Sequence, residues 1–544
     1  MKKKIKNFIF KIIKSDLKKK KYKIIRTRFP PEPNGYLHLG HAKSIFLNFH
    51  ISKLFKGKCN LRFDDTNPEK EKKKYIKNII KEIKWLGYKW NKKIKYASNY
   101  FKKIYNYALI LIKKNLAYVD QLNKKEIKKY RGTLTTVGKN SPYRNQSIKK
   151  NLWLFKKMKK GYFKEGEVCL RAKINMHSSQ IIMRDPVLYR IKFFKHHRTK
   201  NIWNIYPTYD FTHCISDSIE KITHSICTLE FLDNKILYNW ILNNINIKFK
   251  STQYEFSKLN LEYTILSKRK LKNLIKKKIV DGWDDPRMPT ISGLKRRGYT
   301  PKSIKNFCKK IGVTKQNNLI KISFLEHCIR KDLNKKSFRY MAVLNPIKII
   351  ITNYPDNLIE KIKILNHPQN KKLGKRTIYF SKYIYIDRSD FKNNKIKNSR
   401  KLSIHKEIRL RHSYVIKAIK IKKNYLGKIK KIYCTYDKKT LNKNPKNRKV
   451  SGVIHWISKN NTKKAEFHLF SPIFNITNPE SQKNYLKYVN KKSIIIKKGF
   501  IEKSLFKKKN IKNYQFEREG YFILDKKNTD NKKITVFNQT VSLK

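Results

Sequence analysis

Acidic residues are scarce in this chain. Its 544 residues hold 37 Asp and Glu against 132 Lys and Arg, a formal net charge of +95. Such a balance points to a polyanion partner, most simply RNA or DNA. It permits that partner without identifying it, because lysine is scattered from end to end instead of forming a stripe. Ile, Asn and Tyr, whose codons are also rich in A and T, are over-used beside it, so much of the excess reads as base-composition drift. Paired cysteines are missing too. Seven stand at 59, 169, 214, 227, 308, 328 and 434, widely spaced and with no CxxC. That argues against a disulfide framework and a structural zinc site, and it fits a reducing cytosol. No apolar run approaches the ~18 residues that a membrane-spanning helix needs. The basic N-terminal stretch lacks a signal-peptide h-region and a small-residue cleavage site. Phe8, Ile9, Ile12, Ile13 and Leu17 instead predict a short amphipathic helix. Gly/Ser-rich linkers and a convincing internal repeat are absent. The length exceeds what one core organises, so roughly three to five domains are expected.

What is present centres on RTRFPPEPNGYLHLGHAKSIFLNFH, Arg26–His50. A β-leaning run enters Pro30–Pro33, passes Asn34-Gly35 and turns helical, with Ala42, Ile45, Phe46 and Phe49 along one face. His38 and His41 are spaced to project from one side of the first turn. Gly40 leaves backbone bare where a flat ring could approach. A helix N-terminus at such a junction suits phosphate, since its free N–H groups and dipole point there. Two imidazoles can add hydrogen bonds to phosphoryl oxygens whose charge grows during reaction. Alone, an HxGH would more often describe two solvated histidines on a surface helix.

The remainder predicts a multidomain α/β + β protein. CNLRFDDTNPEKE reads as a strand ending in acidic residues, where open α/β sheets bind ligands. Asp65 or Asn67 is also a candidate cap for the next helix, carried by Ile76, Ile79, Ile80, Ile83 and Leu86 and closed by Gly87. Strand, helix, strand, helix begins a doubly wound sheet. Residues 101–210, with RGTLTTVGKNSPYR as a hairpin or loop excursion, read as an inserted domain, after which the sheet resumes. Thr300 is a candidate cap for a helix from Pro301. From about Met341 short alternating strands predict one or two β-barrels, and KKNTDNKK reads as an exposed loop.

Taken together these stretches resemble the glutaminyl-tRNA synthetase family of class I aminoacyl-tRNA synthetases. PPEPNGYLHLGH is similar to the HIGH signature. LRFDDTNPEKE, RDPVLYRIKF, YPTYDFTHCISDSIEKITHSICTLEF, GWDDPRMPTISGLKRRGYT, KEIRLRHSYVIKA and QFEREGYF continue the likeness in order. Leu266-Ser267-Lys268-Arg269 resembles the KMSKS loop, with Ile265 and Leu266 where the family has Lys and Met. The resemblance implies a Rossmann-type, doubly wound catalytic domain in two halves, 1–100 and 211–266, split by an acceptor-stem domain at 101–210. A KMSKS-type loop with a helical connecting domain would follow at 267–340, then two antiparallel β-barrel anticodon-binding domains at 341–544. It implies a cytoplasmic, monomeric enzyme that forms glutaminyl-adenylate from L-glutamine and ATP. Glutamine would then pass to the 2′-OH of the terminal adenosine of tRNA(Gln).

The same resemblance assigns residues. His38, His41 and Lys268 would serve catalysis. Glu32, Pro33, Asn34, Leu39, Gly40, Ala42, Lys43, Ser44, Thr228, Lys258 and Leu259 would surround ATP with Leu266 and Ser267. Mg²⁺ would arrive with the nucleotide, and no protein-bound metal is expected. Arg28, Asp64, Tyr209, Cys227 and Gln253 would surround the amino acid. Asp64 suits an α-ammonium, and Tyr209 and Gln253 are neutral readers for a carboxamide, whereas Arg28 would equally favour a carboxylate. Leu134, Asp233, Thr314, Lys315, Gln316, Arg339, Lys401, Arg409 and Gln515 would meet tRNA, the β region taking unstacked bases. Asn398-Ser399-Arg400-Lys401 departs from the Gln-Tyr-Lys-Arg of relatives. Two rival readings are a glutamyl-tRNA synthetase with a β-type anticodon region and a non-catalytic RNA-binding paralogue.

Overall fold

The computed structural model describes residues 7–393, 399–446, 448–450, 452–507 and 512–543. They form two compact units. One holds residues up to Asn260 with Cys308–Ile320, the other Leu261–Phe307 with residues from Lys321 onward.

The first unit opens with α1 (Phe8–Lys18), capped by the Asn7 side chain, which accepts from Phe10 N at 2.9 Å. Its apolar stripe buries Ile9 and Ile13 against Ile25, Leu47, Ile51, Ile226 and Phe256. β1 (Arg26–Phe29), β2 (Lys58–Phe63) and β3 (Lys95–Tyr96) run parallel, joined by α2 (Leu39–Leu54) and α3 (Lys73–Trp85). The inserted layer has α4 (Phe101–Lys113), β4 (Ala117–Asp120), α5 (Lys124–Arg131), α6 (Ile148–Lys160), β5 (Cys169–Ala172), β6 (Val187–Ile191) and β7 (Ile205–Pro207). Its strands pair antiparallel in that order, and Ile104, Leu111, Phe155, Leu170 and Leu188 form their core. RGTLTTVGKNSPYR takes the loop alternative. Arg184 Nη1 ties it down by donating to the carbonyls of Arg131 (2.9 Å), Thr133 (2.9 Å) and Thr136 (2.7 Å), which leaves Leu134 84% exposed. α7 (Tyr209–Ile219) leads to β8 (His224–Thr228), then α8 (Asn234–Asn244) to β9 (Thr252–Phe256), parallel to β8. Thr223 N donates to Arg26 O at 3.0 Å and Arg26 N to Thr223 Oγ1 at 2.9 Å, so this pair flanks β1. The order β3-β2-β1-β8-β9 is doubly wound. It reverses direction between β1 and β8, where such sheets bind ligands.

The second unit begins with α9 (Lys268–Lys276) and α10 (Ile291–Arg296). α11 (Pro301–Ile311) follows, with Thr300 Oγ1 accepting from Ser303 N at 3.0 Å as its cap, and then α12 (Ile322–Leu333). Two seven-stranded sheets come next. The first runs in spatial order from Phe338–Tyr340, through Asn513–Phe516, Gly520–Leu524, Thr535–Val541, Thr462–Phe470 and Ile494–Glu502, to Ala342–Val343. The second runs from Val453–Ile454 to Trp456–Ser458, with Pro346–Ile351 and Ile429–Asp437 at its middle. In each, the two edge strands are neighbours in sequence, so the chain itself brings the edges together and the sheets curl into nearly closed barrels. Trp456, Phe380 and Ile432 fill one, Phe467, Phe516 and Phe537 the other.

Two local expectations need correcting. Neither Asp65 nor Asn67 caps α3, whose N-cap is Lys72 without a side-chain bond. The Asp65 carboxylate is taken by Ser98, N at 2.9 Å and Oγ at 2.7 Å. KKNTDNKK is not a loop but holds α13 (Lys526–Lys532), started by Asp525 accepting from Asn528 N at 3.3 Å.

Candidate active site

Arg28 and Arg62 lie inside β1 and β2 with no exposed surface. A guanidinium so placed needs full compensation. Arg28 Nε donates to both oxygens of Asp217 at 3.1 Å, Nη1 to Ile226 O at 2.8 Å, and Nη2 meets His213 Nε2 at 2.9 Å. Arg62 reaches Asp64 at 2.7 Å, Asp217 at 2.8 Å and Glu220 at 3.4 Å. Asp217 therefore sits between two guanidiniums and accepts further from Ser225 Oγ at 2.6 Å. Burial alone would raise its pKa, but Arg28, His213, Arg62 and Ser225 outweigh that and hold the carboxyl well below the usual range. Asp64 is lowered in the same way, burial being outweighed by Arg62 and His213. α7 presents His213 and Asp217 four apart on one face, and Glu220 follows its last residue.

His213 Nε2 meets Arg28 Nη2 at 2.9 Å, while its Nδ1 faces Arg62 Nη2 at 3.5 Å and Asp64 Oδ2 at 3.7 Å. That oxygen is buried and has no hydrogen-bond partner among the described residues, which suits it to a ligand cation. Tyr209 stacks on the His213 ring with centroids 5.0 Å apart. Burial, then the Asp64 charge, pushes the Tyr209 hydroxyl well above its ordinary pKa. Burial pushes the Cys227 thiol up to about 12, so both groups are neutral near pH 7. Gln253 Nε2 is committed to Phe231 O at 2.8 Å and Glu255 Oε1 at 3.1 Å. Its carbonyl oxygen is left to accept, which favours an N–H over a carboxylate oxygen.

The turn expected to face ATP is built from the two histidines of the signature stretch. His38 stands just outside α2 as its N-cap, accepting from Gly40 N at 3.1 Å, while His41 Nδ1 accepts from His38 N at 3.1 Å. The two histidines cap the helix reciprocally, their rings 3.8 Å apart. With both Nδ1 atoms accepting, each ring carries its proton on Nε2 and is a donor there, the polarity a phosphate requires. Glu32, Pro33 and Asn34 form the turn before it, and Leu39, Gly40, Ala42 and Ser44 belong to the first turns of α2. The Lys43 side chain turns away from the helix N-terminus to Ser257. Its buried Nζ donates to Ser257 O at 2.6 Å, and burial lowers its pKa to about 8. Lys258 pairs with Glu230 at 3.2 Å, Thr228 Oγ1 lies 3.4 Å from the same carboxylate, and Leu259 is buried.

Leu266, Ser267 and Lys268 belong to the second unit, Lys268 as the first residue of α9. Glu480 Oε2 accepts from the N–H groups of Leu266 at 2.8 Å and Ser267 at 3.3 Å. In the same unit Arg339 and Gln515 pair across parallel strands, and Arg339 Nε and Gln515 Oε1 are both buried without a hydrogen-bond partner. That leaves a donor and an acceptor side by side. The Arg409 guanidinium instead holds the carbonyls of Ser413 and Thr440, each at 3.0 Å, and of Lys443. Lys401 N donates to Ser399 Oγ at 3.3 Å, while Asn398 lies outside the described residues. Asp233, Thr314, Lys315 and Gln316 are exposed on the first unit.

Asp65, His196 and His197 bring donor atoms within 4.8 Å of one another, a cluster that sequence reasoning did not name. His196 Nδ1, however, accepts from Arg198 N at 3.2 Å and Thr199 N at 3.1 Å, so its proton lies on Nε2, 3.1 Å from Asp65 O. This ring is a hydrogen-bond donor, not a metal ligand.

Residues 24–335 match the model of the catalytic domain of class I tRNA synthetases (E and Q). Residues 337–437 and 453–525 match the two anticodon-binding domain models of the same group. The chain belongs to this family. It is 61% identical over 541 residues to a protein named glutamine–tRNA ligase in Buchnera aphidicola subsp. Baizongia pistaciae, covering 99% of this chain and 98% of that one. It is 60% identical over 546 residues to the protein of that name in the Schizaphis graminum subspecies, covering 99% and 97%. A protein of that name in Proteus mirabilis is 56% identical over 539 residues, covering 99% and 97%.

Sequence reasoning missed Arg62, His213, Asp217 and Glu220 as parts of this site. The signal was available: an arginine inside the apolar strand LRF, and polar residues at i, i+4 and i+7 on an otherwise buried helix.

Proposed function

We infer that this chain is a glutamine–tRNA ligase, an ATP-dependent enzyme that activates L-glutamine and esterifies it to tRNA(Gln). The observation that carries the reading is the pocket of Arg28, Asp64, Tyr209, His213 and Gln253 in a chain 61% identical to a glutamine–tRNA ligase. The unpartnered Asp64 Oδ2 takes the α-ammonium. Tyr209 and the Gln253 carbonyl oxygen face the carboxamide, and both are neutral.

The substrate carboxylate attacks the α-phosphorus of ATP, giving glutaminyl-adenylate and pyrophosphate. His38 and His41 donate through Nε2 to phosphate oxygens, and Lys268 neutralises charge on the departing pyrophosphate. Mg²⁺ enters with ATP. The 2′-OH of the terminal adenosine of tRNA then attacks the adenylate carbonyl and AMP leaves. The inserted layer with Leu134 and Asp233 meets the acceptor end, and Arg339 with Gln515 reads an unstacked anticodon base. The enzyme works in the cytoplasm as a monomer. The test is aminoacylation of purified tRNA(Gln) with labelled glutamine. Glutaminyl-tRNA formed only with ATP and tRNA(Gln) is expected, and its absence with an intact, folded protein overturns the reading.

A further inference from the structure

The proposal concerns Asp217 and rests on the glutamine-ligase reading. Among the described residues Asp217 is the only carboxylate within ion-pair distance of Arg28, whereas Arg62 also has Asp64 and Glu220. Arg28 and Asp217 are both fully buried. The remaining Arg28 partners are Ile226 O at 2.8 Å and His213 Nε2 at 2.9 Å, and neither is a carboxylate. Arg28 Nη2 meets the His213 ring, on which Tyr209 stacks with centroids 5.0 Å apart, and its Nη1 holds Ile226 O beside Cys227, so the guanidinium lies next to two residues assigned to the amino-acid side chain. A guanidinium there, left without its counter-ion, would draw the nearest available carboxylate. Glutamate is nearly isosteric with glutamine and would supply one.

We propose that Asp217 is a specificity-determining residue: by neutralising Arg28 from behind, it removes a buried cation that would reward a glutamate side chain. It touches no reacting atom and acts through Arg28. Specificity then comes from a charge already paid for inside the protein, which leaves the neutral readers Tyr209 and Gln253 to decide.

The test is kcat/KM for glutamine and for glutamate with saturating tRNA in wild type, Asp217→Asn, Asp217→Glu and the double variant Arg28→Gln with Asp217→Asn. Asp217→Asn should lower the glutamine-over-glutamate ratio about 10-fold or more, partly through a fall in the KM for glutamate. Asp217→Glu, which keeps the charge, should restore most of the ratio. The double variant should recover it even if turnover is lower, because no unpaired guanidinium remains. If Asp217→Asn alone does not fold, the double variant carries the test. A ratio unchanged in Asp217→Asn, or lost equally in the double variant, overturns the proposal. A wild type that prefers glutamine while Asp217→Asn does so equally leaves the functional reading standing. A wild type that charges no glutamine removes both.

Discussion

The proposed amino-acid pocket and the outer surface of the barrels handle positive charge in opposite ways. In the pocket the cations are Arg28 and Arg62, buried and forked onto Asp217, Asp64 and Glu220 at 2.7–3.4 Å. On the barrels, lysines dominate strands such as Val415–Lys423 and the helix α13, where Lys526 and Lys527 are exposed. Lys527 finds Asp284 at 2.9 Å, but with both side chains largely in water, and such pairs are worth little. The β region repeats the pocket's pattern where two of its sheets meet, with Arg376 buried against Glu502 at 2.9 and 3.0 Å. Lysine thus accumulates where solvent and salt screen it. Where a desolvated cation meets carboxylates, as at Arg28, Arg62 and Arg376, it is a planar guanidinium that two carboxylate oxygens can satisfy, whereas the buried Lys43 gives its ammonium to a carbonyl. The net charge describes the surface, and the pocket is closer to balance.

The largest effect should come from Lys268→Ala, since Lys268 is the one lysine to which we give a chemical task. Its kcat for activation should fall on the order of 10²–10³ with little change in affinity for glutamine or tRNA. Near-normal turnover would return Lys268 to the screened class. Tyr209→Phe deletes one hydroxyl from the pocket. It should raise the KM for glutamine and narrow the glutamine-over-glutamate ratio by about 10-fold, as expected for one hydrogen bond.

Glu71 offers a third comparison, because it is a buried acid that no arginine reaches among the described residues. Burial, then the Asp65 charge, pushes its carboxyl up to about 9. The folded protein therefore holds a proton there that the unfolded chain loses above about pH 4.3. Stability should decline as pH rises through that window, by at most about 1.4 kcal/mol per pH unit. Glu71→Gln removes the decline, so its Tm should exceed that of wild type by more at pH 8 than at pH 5. The arginine-paired carboxyls behave oppositely. Asp217 and Asp64 are depressed, so their contribution is present at neutral pH and lost only in acid. The smallest effect should follow replacement of Lys526, Lys527, Lys532 and Lys533 by serine. Aminoacylation should be unchanged, and a large loss would show that α13 binds RNA.

Much of this architecture was legible in the chain. Spacing of Ile76, Ile79 and Ile83 gave α3, apolar alternation gave the barrel strands, and Pro301 after Thr300 gave a capped helix. What escaped depended on partners distant in sequence. Asp65 looked like a local cap, but Ser98, 33 residues on, holds it. Lys43 lies within the signature helix, yet its ammonium turns to Ser257, 214 residues away. The inner ring of Arg62, His213, Asp217 and Glu220 forms only when β1, β2 and α7 meet. Local periodicity cannot report such a network, although buried polar residues on an apolar strand or helix hint at it.

The claim at the centre of this account is that a pocket with internally balanced charge selects the neutral side chain. Its most direct measurement is the ratio of kcat/KM for glutamine over glutamate in the unmodified enzyme, with saturating tRNA(Gln). The account predicts a preference of roughly 10⁴-fold or more, the discrimination open to a site that hydrogen-bonds its substrate's polar group. Comparable charging of the two amino acids would contradict it.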